Sequence, residues 1–319
     1  MDGSSEDLRR EPRLMVEIPD YAPLCGAPDR NPRAPKTQFP ALACDTHAHI
    51  FEARFPYSKE RIYTPPDSTL ADYKHLLKTL GCERAVLVQP SVYSDDNAAM
   101  LDALANGGPG FRAVAVTQTD VSDVELDKLH RAGVRGLRFN VVDRRENKNQ
   151  VPADMLRGVA KRIAARGWHI EMLVQLDEAG DFAPLLGTLG VPVVIGHLGY
   201  PKALAKTWTQ TKAFSELLKL VDGGQCWIKL TGPYRITSEA DMPYADVVEP
   251  ARKLIAHAPQ RMIWGTDWPH VMKKKPMAND GDMTDLLDQW MPDAATKKRI
   301  LVDNPTALYG FGADEKIKF

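Results

Sequence analysis

The chain has 319 residues, 44% hydrophobic and 26% charged, with a formal net charge of −1. This is ordinary globular composition, and the near-neutral balance excludes a global field that would draw the protein to nucleic acid or an anionic membrane. The length admits one large barrel or two medium domains, and no apolar run approaches the roughly 18 residues of a membrane span.

Residues 1–40 hold seven prolines and almost no periodicity, so they are expected to form an irregular N-terminal extension lying on the surface. The start, "MDGSSEDLRREPRL", lacks the apolar core of a secretory signal. Cys25, Cys44, Cys82 and Cys226 show no CxxC spacing, which suits a reducing, cytoplasmic setting better than a disulfide framework.

From residue 41 to the end, short β-rich runs alternate with helical stretches. The strand candidates in chain order are 42–47, 85–90, 112–118, 136–140, 169–174, 191–197, 226–231 and 261–267. Their nearly continuous apolar character predicts parallel strands buried on both faces. Between them, "STLADYKHLLKTLG" has Ser68 as a cap, leucines at helical spacing and Gly81 as a stop. "VPADMLRGVAKRIAARG" has Pro152 in its first turn and a stripe of Met155, Val159 and Ile163. Eight strand–helix units predict an α/β fold, a single (β/α)8 TIM-like barrel spanning 41–319. No glycine-rich phosphate loop follows any strand, which counts against a doubly wound sheet.

The uncommon polar residues gather at the C-terminal strand ends, the face on which such barrels place active sites. His47 and His49 end the first strand, Ser91 follows the second, and Arg138 and Asn140 end the fourth. His197 ends the sixth, Arg235 follows the seventh and Asp267 ends the eighth. Residues i and i+2 of a strand point the same way, so His47 and His49 aim at one spot. Asp267, between Trp264 and Trp268, has the setting of a desolvated carboxylate able to act as a base. A guanidinium such as Arg138 does not sit unpaired in a packed barrel, so it is expected to meet an anion. Arg144 and Arg145 lie in a loop, where a solvated charge is the ordinary outcome; one of them is a candidate to fold inward. His270, beyond a proline, is expected to stand behind the site.

"DTHAHIF", "RFN", "VIGHLG" and "IWGTDWPH" together resemble the amidohydrolase superfamily, and within it the branch of 2-pyrone-4,6-dicarboxylate lactonases, over residues 41 to about 310. The resemblance implies that Asp267 activates water and that His47, His49 and His197 surround the carbonyl under attack. It implies that Tyr63, Ser91, Arg138, one of Arg144 and Arg145, and Arg235 hold substrate carboxylates. Two positions depart from the branch: Leu173 replaces a strand-five tyrosine, and Tyr200 replaces an arginine after the strand-six histidine.

Relatives with an HxH pair commonly bind zinc or manganese through further ligands on strands four and five, which "RFN" and "MLVQ" do not offer. His47, His49 and Asp267, with His197, remain a conceivable ligand set, but Arg138 would repel a dication, and the branch resembled works without metal. The expectation is therefore no required cofactor, with zinc or manganese as the alternative. His47 and His49 are then expected to act as electrophilic donors to a developing oxyanion. The expected partner is a small anionic lactone, with no nucleic acid or membrane, on a monomer or small homo-oligomer. A metal-dependent decarboxylase, a sugar-lactone hydrolase and a non-catalytic anion-binding barrel remain open as alternatives.

Overall fold

Eight parallel strands follow one another around a barrel in chain order. They are β1 (Cys44–Ala48), β2 (Arg84–Val88), β3 (Phe111–Ala115), β4 (Val134–Asn140), β5 (His169–Leu173), β6 (Val193–Ile195), β7 (Cys226–Leu230) and β8 (Met262–Trp264). The structure, a computed structural model, describes residues 22–144, 148–150, 152–202, 205–272 and 277–319. The first 21 residues of the expected extension and Arg145 lie outside the described residues.

The strands are buried on both faces, as their unbroken apolar runs require. Val86, Val88, Val114, Val194, Trp227 and Ile263 form one inner cluster, closed off by Leu308, Tyr309 and Phe311 near the C-terminus. The opposite residues pack outward against the helices. β6 and β8 are shorter than the sequence suggests. After Ile195 the chain turns, with His197 and Leu198 at positive φ, and beyond Trp264 it leaves the ladder to meet β1. That meeting closes the barrel: Thr46 Oγ1 donates to the Trp264 carbonyl at 2.7 Å, and the amides of Asp267 and His49 donate to His47 and Trp268. Only glycine fits at 265, where a Cβ would lie 2.6 Å from the His47 nitrogen.

Two helix readings change. The first helix, Leu70–Leu80, is capped by Thr69 in a reciprocal capping box with Asp72, not by Ser68. Ser68 is instead held extended by paired hydrogen bonds with Phe51. In Ala153–Ile163 the buried stripe is Leu156, Val159, Ala160 and Ile163, while Met155 is exposed. Residues 22–40 hold only an isolated bridge, Leu24 to Thr64. Asn279 and Asp285 tie them down by accepting from the amides of Arg33 and Lys36. Among the described residues no helix is long and apolar enough to cross a membrane.

Candidate active site

The register of β1 against β2 slips between Asp45 and Ala48. Such an irregularity re-aims the side chains that follow it. Cys44 points into the inner cluster and Ala48 into the outer one, so His47 and His49 both face the barrel mouth. Asp45 braces the bend from outside: it accepts from the amides of His47 and Thr266, the Thr266 hydroxyl and the Tyr73 hydroxyl. Burial still pushes its carboxyl up to about 6 against those four donors.

The two imidazoles, with centroids 5.0 Å apart, have different partners. His49 Nδ1 lies 2.7 Å from the Val88 carbonyl. A carbonyl only accepts, so Nδ1 carries the hydrogen and Nε2 presents a lone pair to the mouth. This differs from the expectation of two like donors. His47 Nδ1 instead lies 3.1 Å from the Lys229 ammonium, and its Nε2 is 3.5 Å from Asp267 Oδ1. Burial, then the Arg138 charge, pushes His49 down to about 3. Burial and the Lys229 charge hold His47 well below the usual imidazole range. His197 joins them, its ring 5.3 Å from that of His47 and its Nδ1 2.8 Å from the Thr231 hydroxyl. Burial pushes it to about 4 against the pull of Asp267.

Asp267 sits at φ +66°, and such left-handed non-glycine backbone costs on the order of 1–3 kcal/mol, held by the surrounding structure. Its Oδ2 accepts from Arg235 Nε at 2.6 Å and from the Tyr234 hydroxyl. Its Oδ1 is buried without a hydrogen-bond partner, 3.5 Å from His47 Nε2 and 4.0 Å from His49 Nε2. Burial would raise this carboxyl, but Arg235 and the three histidines outweigh it and hold Asp267 well below the usual carboxylate range. Gly232, at φ +57°, makes the turn that delivers Tyr234 and Arg235; a Cβ there would crowd His197 and Asp267. Behind them the His270 imidazole pairs with Asp280 at 2.8 Å.

Two cavities open beside this cluster, about 410 and 310 Å3, each large enough for a small molecule. Tyr200, Tyr234, Arg235 and Lys148 line the larger; Ser91, Arg138, Asn140 and Arg144 line the smaller. Asp143 borders both, accepting from Asn140 Nδ2 at 2.8 Å and Ser91 Oγ at 3.2 Å. Arg138 is buried, giving one hydrogen bond to the Gln89 carbonyl while its Nε has no partner. Arg144 Nε donates to the Asn140 carbonyl. Tyr63 is buried, its hydroxyl raised by burial and by the Asp143 charge against a hydrogen bond with Ser91. Leu173 ends β5 as a buried apolar residue, and Tyr200 stands against His197 and Arg235.

Asp45, Asp143, Glu171, Lys229 and Tyr234 are not site candidates on the sequence reading. Glu171 and Lys229 carried a signal, since each is a lone charge inside an apolar strand run and the two have opposite sign.

His47, His49 and Asp267 offer ligand atoms within 4.8 Å of one another, close enough to share an ion. The family model described as Amidohydrolase matches residues 44–311. The chain is 39% identical over 293 residues to a 2-pyrone-4,6-dicarboxylate hydrolase of Comamonas testosteroni, covering 88% of this chain and 93% of that one. It is 33% identical over 295 residues to a 4-sulfomuconolactone hydrolase of Hydrogenophaga intermedia, covering 91% and 96%. A solved apo structure from Agrobacterium tumefaciens superposes with a TM-score of 0.78 at 30% identity, covering 88% of this chain and 99% of the other. With the barrel, the HxH pair and the late aspartate already in place, these matches show that the chain belongs to the amidohydrolase family.

Proposed function

We propose that this protein hydrolyses a small lactone bearing carboxylate or sulfonate groups, of the kind produced in the breakdown of aromatic compounds. The observation that carries the reading is Asp267 Oδ1, a buried carboxylate oxygen without a hydrogen-bond partner that stands near neutral His47 and His49, beside an arginine-lined cavity. The two similar hydrolases act, by name, on a dicarboxylate pyrone and a sulfonated muconolactone.

In this mechanism Asp267 Oδ1 takes a proton from a water molecule, whose oxygen attacks the lactone carbonyl. The His49 Nε2 lone pair accepts the water's other hydrogen and orients it. Imidazole N–H groups donate to the carbonyl oxygen as negative charge develops on it. The ring C–O bond then breaks, and the leaving oxygen departs as an enolate that takes the proton from Asp267. Arg138 and Arg144 from one side, and Arg235 from the other, hold the anionic substituents so that the carbonyl stays within reach of the water.

A catalytic metal fits this donor set poorly. A ligating histidine gives its other ring N–H to a carboxylate or carbonyl. His49 meets that condition at Val88; His47 Nδ1 is 3.4 Å from Glu171 Oε1 but nearer, at 3.1 Å, to the Lys229 ammonium, which takes its lone pair. Lys229, Arg138 and Arg235 also surround the spot with positive charge, which would repel a dication. No step is therefore routed through an ion. The test is a panel of carboxylated, sulfonated and neutral lactones, run with and without chelator. Turnover of the anionic members, unchanged by chelation, is expected. One tightly bound zinc or manganese per chain, lost together with activity, would overturn the metal-free form, and no turnover of any lactone would overturn the reading itself.

A further inference from the structure

Glu171 on β5 and Lys229 on β7 place opposite charges in the barrel interior, and neither has a part in the reaction above. Both are buried, at 1% and 0% exposure. The Lys229 ammonium has three neighbours within hydrogen-bonding distance: the Thr46 carbonyl at 2.7 Å, Glu171 Oε2 at 2.7 Å and His47 Nδ1 at 3.1 Å. An ammonium has three hydrogens and no lone pair, so all three neighbours accept. Glu171 keeps that charge in place: its carboxylate stands between Lys229 and Arg138, its register partner on β4, and their charges hold it ionised against burial.

A neutral imidazole that accepts at Nδ1 must carry its hydrogen on Nε2. For His47 that hydrogen lies on the side of Asp267, Nε2 being 3.5 Å from Oδ1 without a hydrogen bond between them, so it is free to donate where water and carbonyl would meet. Glu171 Oε1 lies 3.4 Å from Nδ1 of the same ring, farther than the ammonium, so the other tautomer would gain only that longer contact while setting N–H against the ammonium at 3.1 Å and a lone pair against Asp267. We infer that Lys229, held by Glu171, is a positioning residue that fixes His47 as the Nε2–H tautomer and thereby makes it the donor to the developing oxyanion. The neighbouring histidines of the HxH pair are thus set to opposite roles by what lies behind them. An ammonium makes His47 a donor, and a carbonyl makes His49 an acceptor. The oxyanion role rests on the lactonase reading; the tautomer does not.

The test uses the full chain with 15N-labelled histidine and long-range 1H–15N correlation at neutral pH, with His47 assigned by the signal lost in His47→Asn. The expected pattern is a protonated Nε2 and a bare Nδ1 for His47, and the reverse for His49. Removing Lys229 alone leaves Glu171 buried without its partner, so the main variant is Lys229→Met with Glu171→Met, which removes both charges together. Its His47 should lose the Nε2–H pattern. On a lactone that the wild type hydrolyses, its kcat should fall ~10²–10³-fold, as for a lost oxyanion donor, with KM much less affected. Lys229→Arg, which keeps a cationic donor, should retain the tautomer and more of kcat. A wild-type His47 protonated at Nδ1 overturns the inference whatever the variants do. So does a double variant with unchanged tautomer and kcat. If the tautomers respond as stated but no lactone is hydrolysed, the functional reading fails and the positioning of His47 stands.

Discussion

Arg235 Nε meets Asp267 Oδ2 at 2.6 Å, so the same arginine that lines the larger cavity also grips the proposed base. The grip leaves Oδ1 as the oxygen available for proton transfer, and its positive charge opposes the upward push of burial on the carboxyl.

Asp267→Asn keeps the shape of the side chain and removes the base. kcat should fall by ~10²–10⁴, the usual worth of a positioned general base. Binding of a substrate analogue and the thermal midpoint should stay close to wild type. A variant that keeps most of its turnover would remove Asp267 from the base role.

Arg235→Gln should move the acid limb of kcat/KM. In the wild type Asp267 is held well below its usual range, so activity that depends on the ionised base persists as pH falls through 4. Without the guanidinium the upward push of burial is less opposed, the base pKa rises, and activity on the acid side is lost at a higher pH. Rate profiles of the two proteins between pH 4 and 8 give the comparison, and superimposable acid limbs would contradict it.

Arg138→Met should raise KM and lower kcat on an anionic lactone, because the buried guanidinium has an unpartnered Nε. A hydrogen bond to a charged group contributes roughly 1.5–3 kcal/mol, and a misplaced carbonyl adds a loss in kcat. Neutral lactones should be affected less. Equal effects on charged and neutral substrates would make Arg138 a structural residue.

Asp143 stands between the two cavities as a carboxylate on Ser91 and Asn140, in the space proposed for substrate anions. Like charge there costs affinity. Asp143→Asn should lower KM for doubly anionic lactones more than for singly charged ones, and the ratio of the two KM values reads this directly. A ratio that does not change would place Asp143 outside the anion's reach.

Stability should fall on the acid side. His49 is pushed to about 3, and His169 and His197 to about 4, each chiefly by burial. Below the unfolded value near 6.5 the unfolded chain takes up protons that the folded chain refuses. The stabilisation is therefore complete above about 6.5 and drains away as pH falls toward 4, by up to ~1.4 kcal/mol per pH unit for each such group. Urea midpoints from pH 7 to 4.5 should show this. His169→Asn, at the end of the barrel away from the site, should flatten the dependence by close to one proton; an unaltered slope would mean that His169 already titrates in the folded protein.

The barrel and most of the mouth were legible in the sequence because both rest on short-range order. Unbroken apolar runs of about six residues dictate strands buried on two faces, and the polar residue that ends each run falls at the same end of a parallel barrel. That is enough to bring His47, His49, His197, Arg138 and Asp267 to one face. It does not say which hydrogen each carries or which charge each meets. Lys229 lies 58 residues from Glu171 and 182 from His47, and only the closed curvature of the sheet brings the three together. The slip in β1 register, the pairing of Asp267 with Arg235 and the opposed settings of the two neighbouring histidines are likewise products of contacts between distant strands. Local periodicity carries no information about such contacts, because their energy depends on desolvation and distance in the packed interior, and those exist only once the barrel has closed.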